Sequence, residues 1–306
     1  MRARKNARQV HGILLLDKPL EVSSNGILQR VRWLYQAAKA GHTGALDPMA
    51  SGLLPICFGE ATKFSQFLLD TDKTYQVTAL FGVRTSTSDA EGEVISEKPV
   101  QFTDSDLEQA MQALRGDILQ VPTMFSALKY QGQPLYKYAR QGIEVPRAAR
   151  PISIFRFELV QRTGDRADFI VHCSKGTYIR TLIDDLGEAL GCGAHVAALH
   201  RIQVGPFTAA QMLAPSALEP LNTAADWAAL DNLLLPMDAG LVAMPALTLD
   251  AQQEHALMHG QTCQLSHADI DSIKLYNQAA QFIGIGTIEN EELRSRRLVN
   301  LSLLSA

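Results

Sequence analysis

The sequence predicts an α+β protein with a large N-terminal domain and a small C-terminal β domain. Three observations predict this. The 306 residues amount to about two domains at ~150 residues each, with one large domain as the alternative. Strand-like and helix-like patterns of unequal length follow one another through the first two-thirds of the chain, and short β-like runs dominate after Pro245. Hydrophobic residues make up 46% of the chain, enough for a core that needs neither disulfides nor metals. No apolar run approaches the ~20 residues of a membrane span. Met1-Arg2-Ala3-Arg4-Lys5 is basic like the start of a signal peptide, but the apolar run Ile13 to Leu16 is cut short by Asp17-Lys18-Pro19. A soluble cytoplasmic protein is expected.

In chain order, Gly12 to Leu16 reads as a buried strand. Ser23, Ser24 and Asn25 are N-cap candidates for a helix with Ile27, Leu28, Val31, Leu34 and Tyr35 at helical spacing, and Gly41 is the expected terminator. Two glycines and a proline make Gly41 to Pro48 irregular. Leu53 to Phe58 predicts a short strand and Thr62 to Leu69 a helix. Tyr75, Val77, Ala79 and Phe81 alternate on one face of a strand. Residues 84–99 form a polar excursion. Thr103 and Asp106 predict a capping box for a helix carrying Leu107, Ala110, Met111 and Leu114, stopped at Gly116. Residues 122–151, with four prolines, three tyrosines and little periodicity, read as an insertion. Asp168 to Cys173 is strand-like, Ser174-Lys175-Gly176 a turn, and Thr177 to Leu190 an amphipathic helix closed by Gly191. Phe207 to Pro245 is helical or connecting. Thr262 to Leu265, Ile273 to Tyr276 and Phe282 to Ile288 are the strands of the C-terminal unit.

The formal net charge of -4 hides a segregation. Residues 1–40 carry eight Lys/Arg against two Asp/Glu, and residues 124–180 carry ten against four. Residues 41–123 carry five against twelve, and residues 181–272 one against eleven. Two separate basic blocks in a mildly acidic chain point to a polyanion-binding face, against the alternative of ordinary solvated charge. The four cysteines are scattered without a C-x-x-C pair, so reduced thiols are expected. Cys192 with His195, and His255 with His259, lack the further ligands of a zinc site. Phosphate-cradling glycine loops and a G-x-S-x-G elbow are absent.

The informative segment is GHTGALDPMASGLLPICFG, Gly41 to Gly59. Pro48 biases Asp47 towards extended backbone, and the glycines allow another backbone to approach closely. A carboxylate so placed is suited to act as a nucleophile or a base; local physics alone favours the simpler reading that it caps a turn.

This segment resembles the signature of the TruB family, the bacterial tRNA pseudouridine-55 synthases, and other motifs follow in order. Asp17-Lys18-Pro19 with Ser23-Ser24 resembles the family's D-K-P…S-S motif, and Lys73-Thr74-Tyr75 its K-x-Y strand. Lys175 to Arg180 resembles its G-T-Y-I-R motif, and Ala198-Leu199-His200-Arg201 its L-x-R segment. Together they span about residues 11–205.

The resemblance implies a pseudouridine synthase fold with a mixed, mostly antiparallel sheet over residues 1–244, including the insertion at about 122–151. It also implies a PUA-like RNA-binding domain over 245–306. The implied reaction is isomerisation of uridine to pseudouridine in the T loop of tRNA, without metal or cofactor. Asp47 would act on the ribose of a flipped nucleotide, by attack at C1′ or removal of the 2′-hydrogen. Arg180 would pair with Asp47, and Tyr75 would stack on the base and assist with the C5 proton. Tyr178 and Leu199 would line the uracil pocket, Lys18 would belong to the substrate-binding set, and His42 would fill the place vacated by the base. Lys129, Lys137, Arg140, Arg147 and Arg150 would face phosphates. The expected partner is the tRNA T arm, with no obligatory protein partner and a monomeric state. Two other readings compete. One is a tRNA-binding or RNA-folding chaperone with dispensable catalysis. The other is a carboxylate glycosidase acting on small nucleosides, which the charge segregation opposes.

Overall fold

Two β-sheets organise the chain in the computed structural model, which describes residues 7–304; the basic stretch Met1 to Lys5 lies outside the described residues. The larger sheet has nine strands. Its path runs Gly12–Lys18, Ala50–Phe58, Ala194–Val204, Lys73–Phe81, Arg166–Cys173, Arg150–Thr163, Gly116–Gln120. Ala40–His42 pairs with Ala50–Phe58, and Phe207–Thr208 pairs with Ala194–Val204. All these pairings are antiparallel except one: Ala50–Phe58 and Ala194–Val204 run parallel, through Leu199 opposite Ala50, His200 opposite Ser51 and Arg201 opposite Gly52. The mixed, mostly antiparallel sheet expected for the fold is therefore present, and its single parallel seam divides it.

The period-two pattern of Lys73–Phe81 is the cleanest in the chain. Tyr75, Val77, Ala79 and Phe81 all point into the core, while Gln76 is exposed. That face packs against the helices Asp104–Ala113 and Ile179–Ala189 through Leu107, Met111, Leu182, Ile183 and Leu186. Helix Asp104–Ala113 has the predicted capping box: Thr103 accepts from the Asp106 amide while Asp106 accepts from the Thr103 amide. A second core forms where helix Ser24–Leu34 lays Ile27, Leu28, Val31 and Leu34 against Leu14, Leu16, Leu54, Ile56 and Phe58. Ser23 is its N-cap, accepting from the Gly26 amide.

Several elements depart from expectation. Helix Ser24–Leu34 ends well before Gly41, because Gln36 takes a positive φ of 49° and the Ala37 amide reaches back to the Arg32 carbonyl. That is a Schellman closure without glycine, and Gly41 lies instead in the strand Ala40–His42. The single helix expected over Thr62 to Leu69 is a 3₁₀ turn, Gly59–Lys63, followed by the short helix Ser65–Leu69. The polar excursion expected over residues 84–99 coincides with a hairpin, Val83–Thr85 with Val94–Glu97. Gly116 follows the helix but opens the edge strand Gly116–Gln120. The insertion holds a two-residue hairpin and the helix Leu135–Ala139, anchored by buried Leu135 and Val145.

The smaller sheet has five strands in the order Ala246–Thr248, Ile270–Tyr276, Phe282–Glu289, Glu292–Leu298, Cys263–Gln264. It also carries a helix, Ala251–Met258, that the β-like runs do not signal. Phe64 and Leu241 pack with Phe282, Ile285 and Val299 to join the two sheets. Polar contacts reinforce that junction. Lys63 Nζ donates to the Leu298 carbonyl at 3.0 Å, the Asn300 amide to Glu60 at 2.5 Å, and His11 lies 3.1 Å from the Leu303 carbonyl.

The seam is tight. Gly52 has φ 102°, and a Cβ built there would lie 2.4 Å from the Arg201 carbonyl oxygen. Gly52→Ala therefore combines an unfavourable backbone conformation with a backbone clash, and we expect a loss of at least about 2 kcal/mol. Equilibrium urea unfolding checks this; a change below about 0.5 kcal/mol would show that the seam opens to take a methyl group.

Candidate active site

Asp47 sits on the irregular loop between strands Ala40–His42 and Ala50–Phe58, and the N-terminal motif residues fix the backbone on both sides of it. Buried Ser24 accepts from the Leu46 amide at 2.7 Å and donates to the Leu46 carbonyl at 2.8 Å. Fully buried Lys18 donates to the carbonyls of Ala50 at 2.6 Å, Pro19 at 2.8 Å and Pro48 at 3.4 Å. The Glu21 amide adds a bond to Pro48. Burial pushes the Lys18 ammonium down to about 8, opposed by the nearby Asp47 charge. The ammonium is thus spent on backbone carbonyls, two of them at the end of the loop. Arg201, also buried, donates from Nε to the Leu53 carbonyl at 2.8 Å and from Nη2 to the Gly44 carbonyl at 3.1 Å.

Arg180 faces this loop from the first turn of helix Ile179–Ala189. Tyr178 precedes that helix, and buried Gln120 holds its backbone by accepting from the amide at 2.8 Å and donating to the carbonyl at 3.1 Å. The Arg180 guanidinium has four partners. Nη2 lies 2.9 Å from Asp47 Oδ2 and donates to the Phe125 carbonyl at 2.8 Å. Nη1 donates to Asp89 Oδ2 at 3.2 Å and to the Thr87 carbonyl at 3.3 Å. Asp89 is itself fixed, accepting from the Thr87 hydroxyl at 2.5 Å and the Glu91 amide at 3.1 Å. One side chain thereby ties together the Asp47 loop, the insertion and the segment that follows strand Val83–Thr85.

The pair is unevenly solvated: the Asp47 side chain is 42% exposed, that of Arg180 only 6%. Burial pushes the Asp47 carboxyl above the ordinary carboxylate range; Arg180 opposes that rise, Asp89 adds to it and Lys18 opposes it.

Tyr75 and Leu199 lie in the same core cluster as Leu46 and Ala50, which flank Asp47. Tyr75 stands opposite Arg201 across the ladder, with the guanidinium against its hydroxyl. Burial keeps that phenol neutral by pushing its pKa up, and Arg201 resists only in part. Tyr178 is half-buried and close enough to feel the charges of Arg180 and Asp47. Burial, then Arg201, lowers the His42 imidazole below its usual range. Its Nδ1 and the neighbouring Thr43 hydroxyl are buried without a hydrogen-bond partner.

In the insertion, Lys129, Lys137, Arg140 and Arg150 are exposed. Arg147 differs: it donates to the Pro122 carbonyl at 3.1 Å and pairs with Glu144 at 3.0 Å, bracing the insertion's base. Sequence reasoning missed Asp89, Gln120 and the stapling role of Ser24. Ser23-Ser24 held a usable signal, since a helix needs only one N-cap hydroxyl.

Family models match nearly the whole chain. Residues 32–179 match the TruB family pseudouridylate synthase N-terminal domain, residues 180–242 the tRNA pseudouridylate synthase B C-terminal domain, and residues 245–299 the pseudouridine synthase II TruB C-terminal model. The tRNA pseudouridine synthase B of Actinobacillus pleuropneumoniae is 52% identical over 303 residues, covering 98% of this chain and 99% of that one. Its counterpart in Cronobacter sakazakii is 50% identical over 310 residues, covering 97% and 98%. Among solved structures, a chain of a Cbf5–Nop10–Gar1 complex aligns with a TM-score of 0.71 at 22% identity, covering 98% of this chain and 82% of that one. A chain of an archaeal box H/ACA Nop10–Cbf5 complex gives 0.70 at 20%, covering 94% and 86%. At this identity over nearly the full length of both chains, these relatives settle the family: the chain belongs to the TruB family of pseudouridylate synthases.

Proposed function

We propose that the protein isomerises uridine 55 in the T loop of tRNA to pseudouridine, as a cytoplasmic monomer needing neither metal nor cofactor. The observation that carries this reading is the Asp47–Arg180 pair, held at 2.9 Å on a loop whose backbone is fixed on both sides. Breaking an N-glycosidic bond and remaking it at C5 demands one anionic group aimed at the ribose, a cavity that holds the freed base, and no redox partner. Asp47 serves as that group. Arg180 fixes its aim by a charge-assisted bond. Tyr75, Tyr178 and Leu199 enclose the uracil. His42, neutral at physiological pH, fills the stack that the extruded nucleotide leaves, recovering part of a cost of a few kcal/mol. Lys18 serves the site through the loop it holds.

Residues 1–244 form the catalytic domain and residues 245–306 a PUA-like domain that adds to tRNA binding. The exposed bases of the insertion at about 122–151 meet T-arm phosphates, as expected for recognition of folded RNA by shape and backbone. Incubation with an unmodified tRNA transcript and mapping of pseudouridine at nucleotide resolution tests the whole reading; product elsewhere than position 55 would overturn the site assignment.

Asp47→Asn abolishes product while tRNA affinity stays within about tenfold, or ~1.4 kcal/mol; turnover by this variant removes Asp47 from the chemistry. Because the reaction uses ionised Asp47, kcat/KM falls as pH drops through the carboxyl's titration. With that titration raised by burial, the acid limb has its midpoint above the ordinary ~3.9. A midpoint at or below that value would mean that Arg180 outweighs burial.

Tyr75→Phe keeps the ring but removes the hydroxyl that meets Arg201. We expect a rate loss of at least about a hundredfold in a normally folded protein, ~2.7 kcal/mol in the barrier, measured by single turnover. A fully active Phe variant limits Tyr75 to stacking.

Neutralising Lys129, Lys137 and Arg140 together, sparing the braced Arg147, weakens tRNA binding and flattens its salt dependence by up to about three phosphate contacts. The single-turnover rate at saturating tRNA changes little, since these contacts serve ground and transition states alike. Wild-type affinity and salt slope would show that the insertion does not bind RNA.

A further inference from the structure

Asp47 stands on one side of the parallel seam; Tyr75, Leu199 and Arg180 stand on the other. The ladder crosses that seam through three residue pairs, Leu199 with Ala50, His200 with Ser51 and Arg201 with Gly52. A slip there of a few tenths of an ångström changes the distance between the carboxylate and the pocket that holds the base, and rate is sensitive to such displacements.

Among the described residues, two side-chain hydrogen bonds join strand Ala50–Phe58 to strand Ala194–Val204. On the side of the site, Arg201 Nε donates to the Leu53 carbonyl at 2.8 Å. The other is on the opposite face, where Ser51 Oγ and His200 Nδ1 lie 2.8 Å apart. They sit at a groove of about 460 Å³ whose walls include Leu20, Gln76, Thr78 and Asp168. None of these strand neighbours is free to take over that bond: Gly52 has no side chain, and Ala50 and Leu199 point into the core.

We propose that Ser51 and His200 are a positioning pair for the reaction, their bond fixing the register of the Asp47 strand against the strand that carries Leu199 and Arg201. This rests on the functional reading above, and neither residue touches the substrate. His200 flanks both Leu199 and Arg201, so one bond behind the sheet constrains the uracil pocket and the partner of Tyr75 together.

The test uses four single variants and one double. Ser51→Ala removes the hydroxyl, and Ser51→Thr keeps it. His200→Asn keeps an amide where Nδ1 stands, whereas His200→Gln places its amide at the position of Nε2, out of reach of Ser51. Single-turnover rates at saturating tRNA are expected to fall about tenfold in Ser51→Ala and His200→Gln, with tRNA affinity unchanged within about twofold. Ser51→Thr and His200→Asn should stay within about twofold of wild type. The Ser51→Ala, His200→Gln double variant should be no slower than either single, because both break the same bond. Wild-type rates in Ser51→Ala, multiplied losses in the double variant, or Asn and Thr variants as slow as Gln and Ala would each overturn the proposal. Backbone hydrogen exchange at Leu199 to Arg201, which needs no substrate, is expected to quicken at least about tenfold in Ser51→Ala; unchanged exchange would also overturn it. Wild-type protein inactive on tRNA would instead overturn the functional reading, with the seam still judged by exchange.

Discussion

Arg180 is the interaction around which the rest of this structure is arranged. A guanidinium whose side chain is 6% exposed must be compensated, since an uncompensated buried charge costs several kcal/mol. The compensation here comes from two carboxylates and two carbonyls on three different segments. Asp89, 4% exposed, makes the pairing on the dry side, and removing one partner of such a buried pair costs about 3–5 kcal/mol. A surface pair would do neither job: exposed ion pairs are worth about 1 kcal/mol or less and would not hold three loops in one geometry.

The loop that carries Asp47 is irregular because its glycines and proline exclude regular structure, so its shape has to be imposed from outside. Three buried side chains impose it, and all act on backbone rather than on the carboxylate. Ser24 clamps Leu46, Lys18 gathers the carbonyls of Pro48 and Ala50, and Arg201 takes that of Gly44. Two of them are cations, and both spend their donors on backbone carbonyls; Lys18, whose charge reaches Asp47, makes no hydrogen bond to it. The carboxylate therefore keeps one close cation, Arg180, and one open side. Preorganisation of this kind leaves nothing to rearrange when the reacting group arrives.

What was legible in the sequence was whatever depends on short range. The alternation of Tyr75, Val77, Ala79 and Phe81, and the capping box of Thr103 and Asp106, are local patterns, and both elements form where they predict. The strand Ala194–Val204 lies at the centre of the larger sheet and gave no such signal. Its alternation is interrupted by irregularities at Val196/Ala198 and Arg201/Gln203, and its buried positions include His195 and Arg201, which periodicity counts as polar. Arg150–Thr163 is hidden in the same way by two register shifts, with Phe155 and Val160 exposed on the wrong side of a hydrophobic count. In the site, the Asp47–Arg180 pairing is the one the motifs implied, but the backbone contacts made by the other motif residues were not legible. Lys18, expected among the substrate-binding residues, donates to three backbone carbonyls that no local pattern signalled. Asp89 had no local signature, because its partner is 91 residues away in sequence.

The uneven solvation of the Asp47–Arg180 pair carries the last step. Arg180 and Asp89 lose their water when the chain folds, whereas the Asp47 side chain keeps 42% of its surface in solvent. Folding thus meets the larger desolvation cost in advance, and the carboxylate, already partly desolvated, keeps the rest of its water until something covers it. A group that covers the carboxylate would displace that water. The Coulomb attraction of the pair would then act at a lower effective dielectric, where the same 2.9 Å contact is several times stronger than in water. Loss of water also raises the cost of the bare carboxylate charge, so covering the site makes Asp47 at once better aimed and more reactive. The opposing pulls of burial and Arg180 on the carboxyl are two sides of that one arrangement, and a group poised between them is suited to give up its charge to a sugar carbon or take a proton from one.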